Sequence, residues 1–488
     1  MARCKKMISI VFFTVLILLF ISTGNSIALA KTSNYTYNYD VYGEAVSSPN
    51  AYRVSAYLLG TNFDIGAFRD PQGLYVRGNK LYVCDSGNNR IVIITVGDDG
   101  SYSISDIITQ VTIENAESAL NYPMDVFEDN NGDLYIADTN NQRILRLDKD
   151  KNFIMELNKP VNETFSETAE FLPTKLVVDK AGRIFVQARN VNKGLMEFDP
   201  QGDFVGYMGA NRVKVNPIDL FWKNIASRKQ RAAMELFVPT EYNNVCIDDR
   251  GFIYATNTSS TTDSVRRLNA QGDDILVRNG IEDPVGDLIK GTSSSIEASK
   301  FIDVAALEND SYVCFDRTRG RLFVYDSQGN LLYAFGGVGN REGSFLIPVA
   351  IEAMGRSLFA LDSRTGAVTR FDLTEYGTII NDALTEYKRG HYDESAKKWE
   401  EVLKLNGNYD MAYIGIGRSA LRTGDYATAM KCFRVKGDFA NWSKAFQQYR
   451  KLWMEENLRW ILLILGALII GSPLVRGMRK LIKEVREA

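Results

Sequence analysis

Side chains able to do acid–base or metal chemistry are few and scattered in this 488-residue chain, and its only histidine is His391. One histidine rules out multi-histidine zinc centres and paired histidine acid–base work within a single chain. His391 falls in a turn between two helical segments, so no Ser-His-Asp relay forms around it, and no G-x-S-x-G turn occurs. The cysteines form no C-x-x-C pair, which removes zinc ribbons and thioredoxin-type redox sites. Four polar residues stand at matching places in successive copies of a repeat: Asp125, Lys175, Asn244 and Asp303, with Gly73 and Ala350 in the two remaining slots. Two carboxylates, an amide and an ammonium about one axis could hold a calcium ion or an anionic ligand. The plainer reading is a polar, water-filled channel holding a structural ion or none.

Two further segments carry candidate roles. The glycines at 337, 339 and 343 have a G-x-G-x-x-x-G spacing and precede a strand pattern, so they are a strand connection and not a phosphate loop. Residues 216–237 read as an Asn-capped helix with Pro217 in its first turn. Phe221 and Trp222 cannot both be buried by one narrow face, and with Lys229 and Arg231 they make the insert a candidate partner-binding surface. A lid packed on its own neighbours is the competing reading.

The elements that position these residues repeat. Residues 81–90 (LYVCDSGNNR) return as residues 134–143 (LYIADTNNQR), 53 positions later. Weaker copies follow Pro173, Pro239, Phe301 and Pro348, which makes six. In each, an apolar run follows the proline, then an Asp/Asn-Gly turn, an alternating strand, and further short strands. Three or four strands per copy, repeated about an axis, predict a β-propeller. The chain resembles NHL-repeat propellers over residues 51–373. The resemblance rests on a Gly-rich interblade loop (Gly336, Gly337, Gly339 and Gly343 before Pro348; Gly60, Gly66 and Phe68 before Pro71) and a D-x-x-N-x-R strand end. Asn and Arg of that end survive in the first two copies, with Arg321 and Arg370 read as their equivalents in the fifth and sixth. The lone strand at 51–59 is expected to close the ring as the missing outer strand of the sixth blade. The resemblance extends to six-bladed lactonase-type propellers, which implies calcium on acidic and amide side chains. Gly73 departs from that pattern in the first slot.

From about residue 378 the period changes to 34: Gly390 and Gly424, Tyr392 and Tyr426, Trp399 and Phe433. This is the tetratricopeptide period, expected over 378–457 with a capping helix from Asn441. Residues 460–475 carry no charge and lie between Arg459 and Arg476, predicting a membrane-spanning helix followed by a basic tail at 476–488. Residues 1–30, with Arg3, Lys5 and Lys6 before an apolar run and Ala28-Leu29-Ala30, read as a signal peptide, and 31–50 as a linker. Lys+Arg 57 against Asp+Glu 60 gives a net charge of −3, which argues against a nucleic-acid binder.

The expectation is an all-β six-bladed propeller, then an α-helical tetratricopeptide-like domain and one C-terminal transmembrane helix. Propeller and helices are extracytoplasmic, and the C-terminus is cytoplasmic. The expected function is a non-catalytic scaffold without an obligate cofactor, binding an envelope or membrane protein or a surface glycan. A calcium-dependent lactonase or esterase is the alternative.

Overall fold

A computed structural model describes residues 36–40, 42–161, 165, 170–211, 240–257, 263–280, 282–287 and 297–487. The signal segment and the insert helix, with Phe221, Trp222, Lys229 and Arg231, lie outside the described residues.

The propeller follows from a local rule repeated around the ring. A turn with sequence D-x-x-G closes hairpins throughout: the Asp129 carboxylate accepts the N–H groups of Asn131 (2.8 Å) and Asp133 (2.9 Å), and Asp179, Asp199, Asp248 and Asp326 do the same. The glycine three residues on sits at positive φ (87° at Gly132, 85° at Gly251), a conformation that costs glycine nothing. Between such turns, alternating apolar residues form short antiparallel strands that bury one face against the next sheet.

Six sheets result. Their innermost strands are Gly73–Arg77, Pro123–Glu128, Pro173–Val178, Tyr242–Ile247, Phe301–Ala306 and Pro348–Met354, and each touches its two neighbours, closing the ring. The strand Tyr52–Leu59 pairs with Ala367–Leu373, Leu59 opposite Ala367 and Tyr52 opposite Leu373, so the N-terminal side latches the sixth blade. No edge is left at the seam.

Residues 31–50 are not simply a linker. Tyr37–Tyr39 and Ala45–Ser47 form a hairpin that pairs with the outer strand of blade five, Tyr37 opposite Ala334, and extends that sheet to six strands. Asp287, 6% exposed, fastens it: Tyr37 and Tyr39 donate to its carboxylate at 2.6 and 2.5 Å, and Arg319 and Arg321 donate from the other side.

Five helices follow: α1 (Glu375–Arg389), α2 (Tyr392–Leu405), α3 (Asp410–Thr423), α4 (Tyr426–Val435) and α5 (Phe439–Glu487). The Thr374 side chain caps α1, accepting from Gly377 N–H at 3.2 Å, and Gly390 and Gly424, 34 residues apart, end α1 and α3 at φ 86° and 88°. Trp399 and Phe433 are both buried, each against a glycine of α3 that leaves no room for a Cβ: Gly415 under the Trp399 indole, Gly417 under the Phe433 ring.

One apolar core runs unbroken from blades five and six (Phe335, Ile351, Phe371) through Tyr376, Ile380, Trp399, Tyr409 and Phe433 to Ala445. Polar contacts reinforce the junction. Tyr409 donates to the Leu332 carbonyl (2.8 Å), Asn309 to Thr385 (2.6 Å), and Arg356 to Asp382 (2.8 Å). The propeller and first helices are therefore a single packed body.

Helix α5 spans 49 residues as one element, from packed cap to basic tail, and its most apolar window has mean hydropathy 2.1 with none of it buried. It is the one candidate membrane span among the described residues. Its 16 uncharged residues measure about 24 Å, a little less than the roughly 30 Å hydrocarbon layer.

Candidate functional site

The axial channel gathers the four sequence-selected residues. In five blades the innermost strand carries a register shift at its second residue, between Pro123 and Asp125, Pro173 and Lys175, Tyr242 and Asn244, Phe301 and Asp303, and Pro348 and Ala350. The extra residue of a bulge re-aims the next side chain, so Asp125, Lys175, Asn244, Asp303 and Ala350 occupy one structural slot. Blade one has no such shift, and a Cβ at Gly73 would collide with the Met124 carbonyl and lie 3.0 Å from Cys84 Sγ. The first slot has no room for a carboxylate.

Asp125, Lys175, Asn244 and Asp303 are 6%, 6%, 3% and 4% exposed. Lys175 Nζ donates to Asp125 Oδ1 at 3.3 Å. The other Asp125 oxygen accepts the Leu176 N–H (2.9 Å), and Asp303 repeats the arrangement, accepting from Ile351 (2.6 Å) and Val304 (2.7 Å). Both carboxylates thus brace one blade's inner strand against the next.

A fifth group, Glu352, joins them and was not among the sequence candidates. It lies two residues beyond the Ala350 slot, and the period-two alternation of a strand was the signal that could have found it. Burial raises its pKa well above the usual range, with the neighbouring Asp303 and Asp125 adding and Lys175 opposing. Burial likewise raises Asp125, and lifts Asp303 to about 7 despite relief from Lys175 and two backbone N–H groups. Burial works against the Lys175 ammonium, yet Asp125 and Asp303 outweigh it and hold the group above its ordinary pKa. These five side chains line a cavity of about 520 Å³ that opens towards Lys388 of α1.

The donor set fits a metal poorly. Calcium takes six to eight oxygens, whereas no group of three or more His, Cys, Asp or Glu side chains able to hold a metal exists among the described residues. Lys175 already sits on Asp125, and the carboxylate oxygens are engaged by backbone N–H groups. His391 is remote from the channel, on the surface beside Glu386 at 2.6 Å.

The strand-end motif is structural. Asp85 and Asp138, both fully buried, each accept one loop N–H (Arg69 and Asn121, both 2.7 Å), the side-chain amide of Asn88 or Asn141 (both 2.8 Å), and the Nε–H of Arg90 or Arg143 (2.7 and 2.9 Å). Asp316 and Asp362 hold the corresponding loops through N–H groups. Arg321 occupies the equivalent position of blade five but turns to Asp287, while Ala367, opposite Asp362, takes the place assigned to Arg370. Arg370 lies mid-strand and pairs with Asp372 at 2.8 Å. Cys84, Cys246, Cys314 and Cys432 are free thiols, the first three in strands and Cys432 in α4.

A second concavity, about 910 Å³, is lined by turns of blade five and by residues of all five helices. Trp399, Met411 and Leu421 give it an apolar floor. Of its cations, Lys388 is held by Asp310 (3.3 Å) and Arg418 by Asp326 (3.5 Å). Arg422, hydrogen-bonded to Tyr387, and Lys444, bonded to Asn441 (3.2 Å), have no carboxylate partner among the described residues.

The fold and its repeats define a six-bladed β-propeller carrying a helical extension. The NHL-repeat family model matches residues 68–94, the inner part of blade one. No curated protein matches the chain. Solved structures similar to it include streptogramin B lyase (12% identity, 62% of this chain and 94% of that one, TM-score 0.38). Virginiamycin B lyase from Staphylococcus aureus is similar at 13% identity, 66% of this chain and all 100% of that one, TM-score 0.38. The RRP9 WD40 repeats match at 8% identity, 66% and 98% coverage, TM-score 0.42. At these identities and scores the likenesses say nothing about activity.

Proposed function

We propose that the protein is a non-catalytic, membrane-anchored, extracytoplasmic binding module. Its partner is an envelope or membrane protein that presents an extended, carboxylate-bearing segment to the groove between blade five and the helices. The observation that carries this reading is the continuity of α5. One end of that helix walls the groove, and its middle is the exposed apolar stretch at 460–475. A ligand in the groove is thereby held at a fixed distance from the bilayer. The helices act as a short tetratricopeptide-like stack whose missing third unit is replaced by α5 and by the propeller itself. Arg422 and Lys444, the two cations without carboxylates, set the charge preference of the groove. The channel residues support a structural role, since their carboxylates are committed to inter-blade bonds.

The test is photocrosslinking in the native membrane from Gln448 in the groove, compared with Tyr57, 47% exposed on the outer strand of blade six. The reading expects a discrete partner captured from Gln448 alone, and capture abolished by Arg422→Glu with Lys444→Glu. No capture, or identical products from both positions, would sink it.

A further inference from the structure

The last turns of α5 carry a pattern that membrane anchoring does not require. Beyond the apolar stretch, Met478, Leu481, Ile482 and Val485 fall at helical spacing on one side. At 100° per residue they cover an arc of about 100°. Arg476, Arg479, Lys480, Lys483 and Arg486 occupy the opposite arc, against only Glu484 and Glu487. Met478, Leu481, Ile482 and Val485 are all exposed, at 59%, 62%, 51% and 75%. A tail running straight on into water would leave that stripe wet along its whole length. Pro473 lies at the junction between span and tail, where its missing N–H weakens the helix ladder and permits a bend. Gly477 follows one turn later.

We infer that the tail from Arg476 onward lies flat on the leaflet from which the span emerges. Its apolar stripe enters the acyl boundary, and its five basic side chains engage anionic lipid headgroups. Two features select this occupant. The stripe is continuous with a segment that ends at the membrane surface, and the flanking charge is strongly basic, the composition of helices that bind anionic interfaces. The inference rests on the reading of 460–475 as a membrane span. Each net basic charge near an anionic surface multiplies occupancy about fivefold, so three net charges amount to on the order of 100-fold.

The test uses the full chain with Cys4 and Cys432 replaced by Ser, carrying either Ile482→Cys or Lys483→Cys. Both proteins are reconstituted in nanodiscs of neutral phosphatidylcholine, or of phosphatidylcholine with one-third phosphatidylglycerol. The readout is the rate of modification by a water-soluble maleimide, corrected for the parent without the added cysteine. The expected result is position 482 protected at least about tenfold in anionic discs relative to neutral ones, with position 483 reactive in both. Protection should vanish when all five basic residues are Gln. Equal reactivity of 482 in both lipids overturns the inference while leaving the span intact, because the protein is then still in the disc. Equal protection in neutral discs points to a partner helix or a second copy and also overturns it. Failure to enter discs at all removes the span reading and this inference together.

Discussion

Replacing Asp138 by Ala tests whether the recurrent strand-end aspartates latch the blades. The carboxylate is fully buried and accepts from Asn121 N–H at 2.7 Å, Asn141 Nδ2 at 2.8 Å and Arg143 Nε at 2.9 Å. Alanine leaves three donors without their acceptor, each costing about 1–3 kcal/mol where water cannot reach. Breaking a buried ion pair from one side costs about 3–5 kcal/mol. Arg143 keeps Glu156 at 3.2 Å and Ser118 at 2.7 Å, which places the total near the lower end, about 3–4 kcal/mol. For a body of about 400 residues that is a Tm drop of roughly 4–5 °C. Near-UV circular dichroism of the full chain in mild detergent, heated at one fixed rate, reads it. Asp148→Ala, which removes an exposed turn acceptor, is the control and should move Tm by no more than about 2 °C. An Asp138 variant that melts with the control would refute the latch.

Four further outcomes are expected. Asp303 has its pKa raised to about 7, so the native state binds its proton more tightly than the unfolded chain. That contribution favours folding at low pH and is lost as pH rises through about 7. Asp303→Asn should accordingly flatten the fall of Tm between pH 5 and 8, even though it forfeits one of the two backbone bonds. Asp287→Ala should free the Tyr37–Tyr39 hairpin, seen as protease cleavage near residues 40–44 while the rest of the propeller resists. Gly415→Ala drives a methyl into the Trp399 ring and should destabilise the helical extension by about 1–3 kcal/mol, read by tryptophan fluorescence during urea unfolding. Removing calcium with a chelator should leave Tm unchanged; a loss of several degrees would restore the metal reading of the channel.

The parts of this fold visible in the sequence are those set by local rules. The D-x-x-G turns, the proline-led inner strands and the 34-residue spacing of Gly390 and Gly424 each encode a local conformation. The channel slot could be aligned for the same reason: Asp125, Lys175, Asn244 and Asp303 each follow a bulge at the same place in the inner strand. The polarity of that slot was legible, but its use was not. Only the packed structure shows the Asp125 and Asp303 carboxylates turned sideways onto the backbone of the next blade. Glu352 escaped because it lies one alternation away from the aligned position. The hairpin at 37–47 escaped because its three-residue strands are too short to show a period, and it is held by Asp287, some 250 residues away. Arg370 misled because sequence proximity to a strand end is not register, which pairing with Phe359 alone reveals. The second concavity was equally hidden, since it is built from blade five and five separate helices.

Ending the chain at Asn457 tests most directly the proposal that α5 anchors a folded extracytoplasmic body to the membrane. The full chain should stay in membranes washed with alkaline carbonate, whereas the shortened chain should appear in the extracytoplasmic fraction, soluble and with the same near-UV spectrum. A shortened chain that still sediments with the membrane, or a full chain released by carbonate, would contradict it.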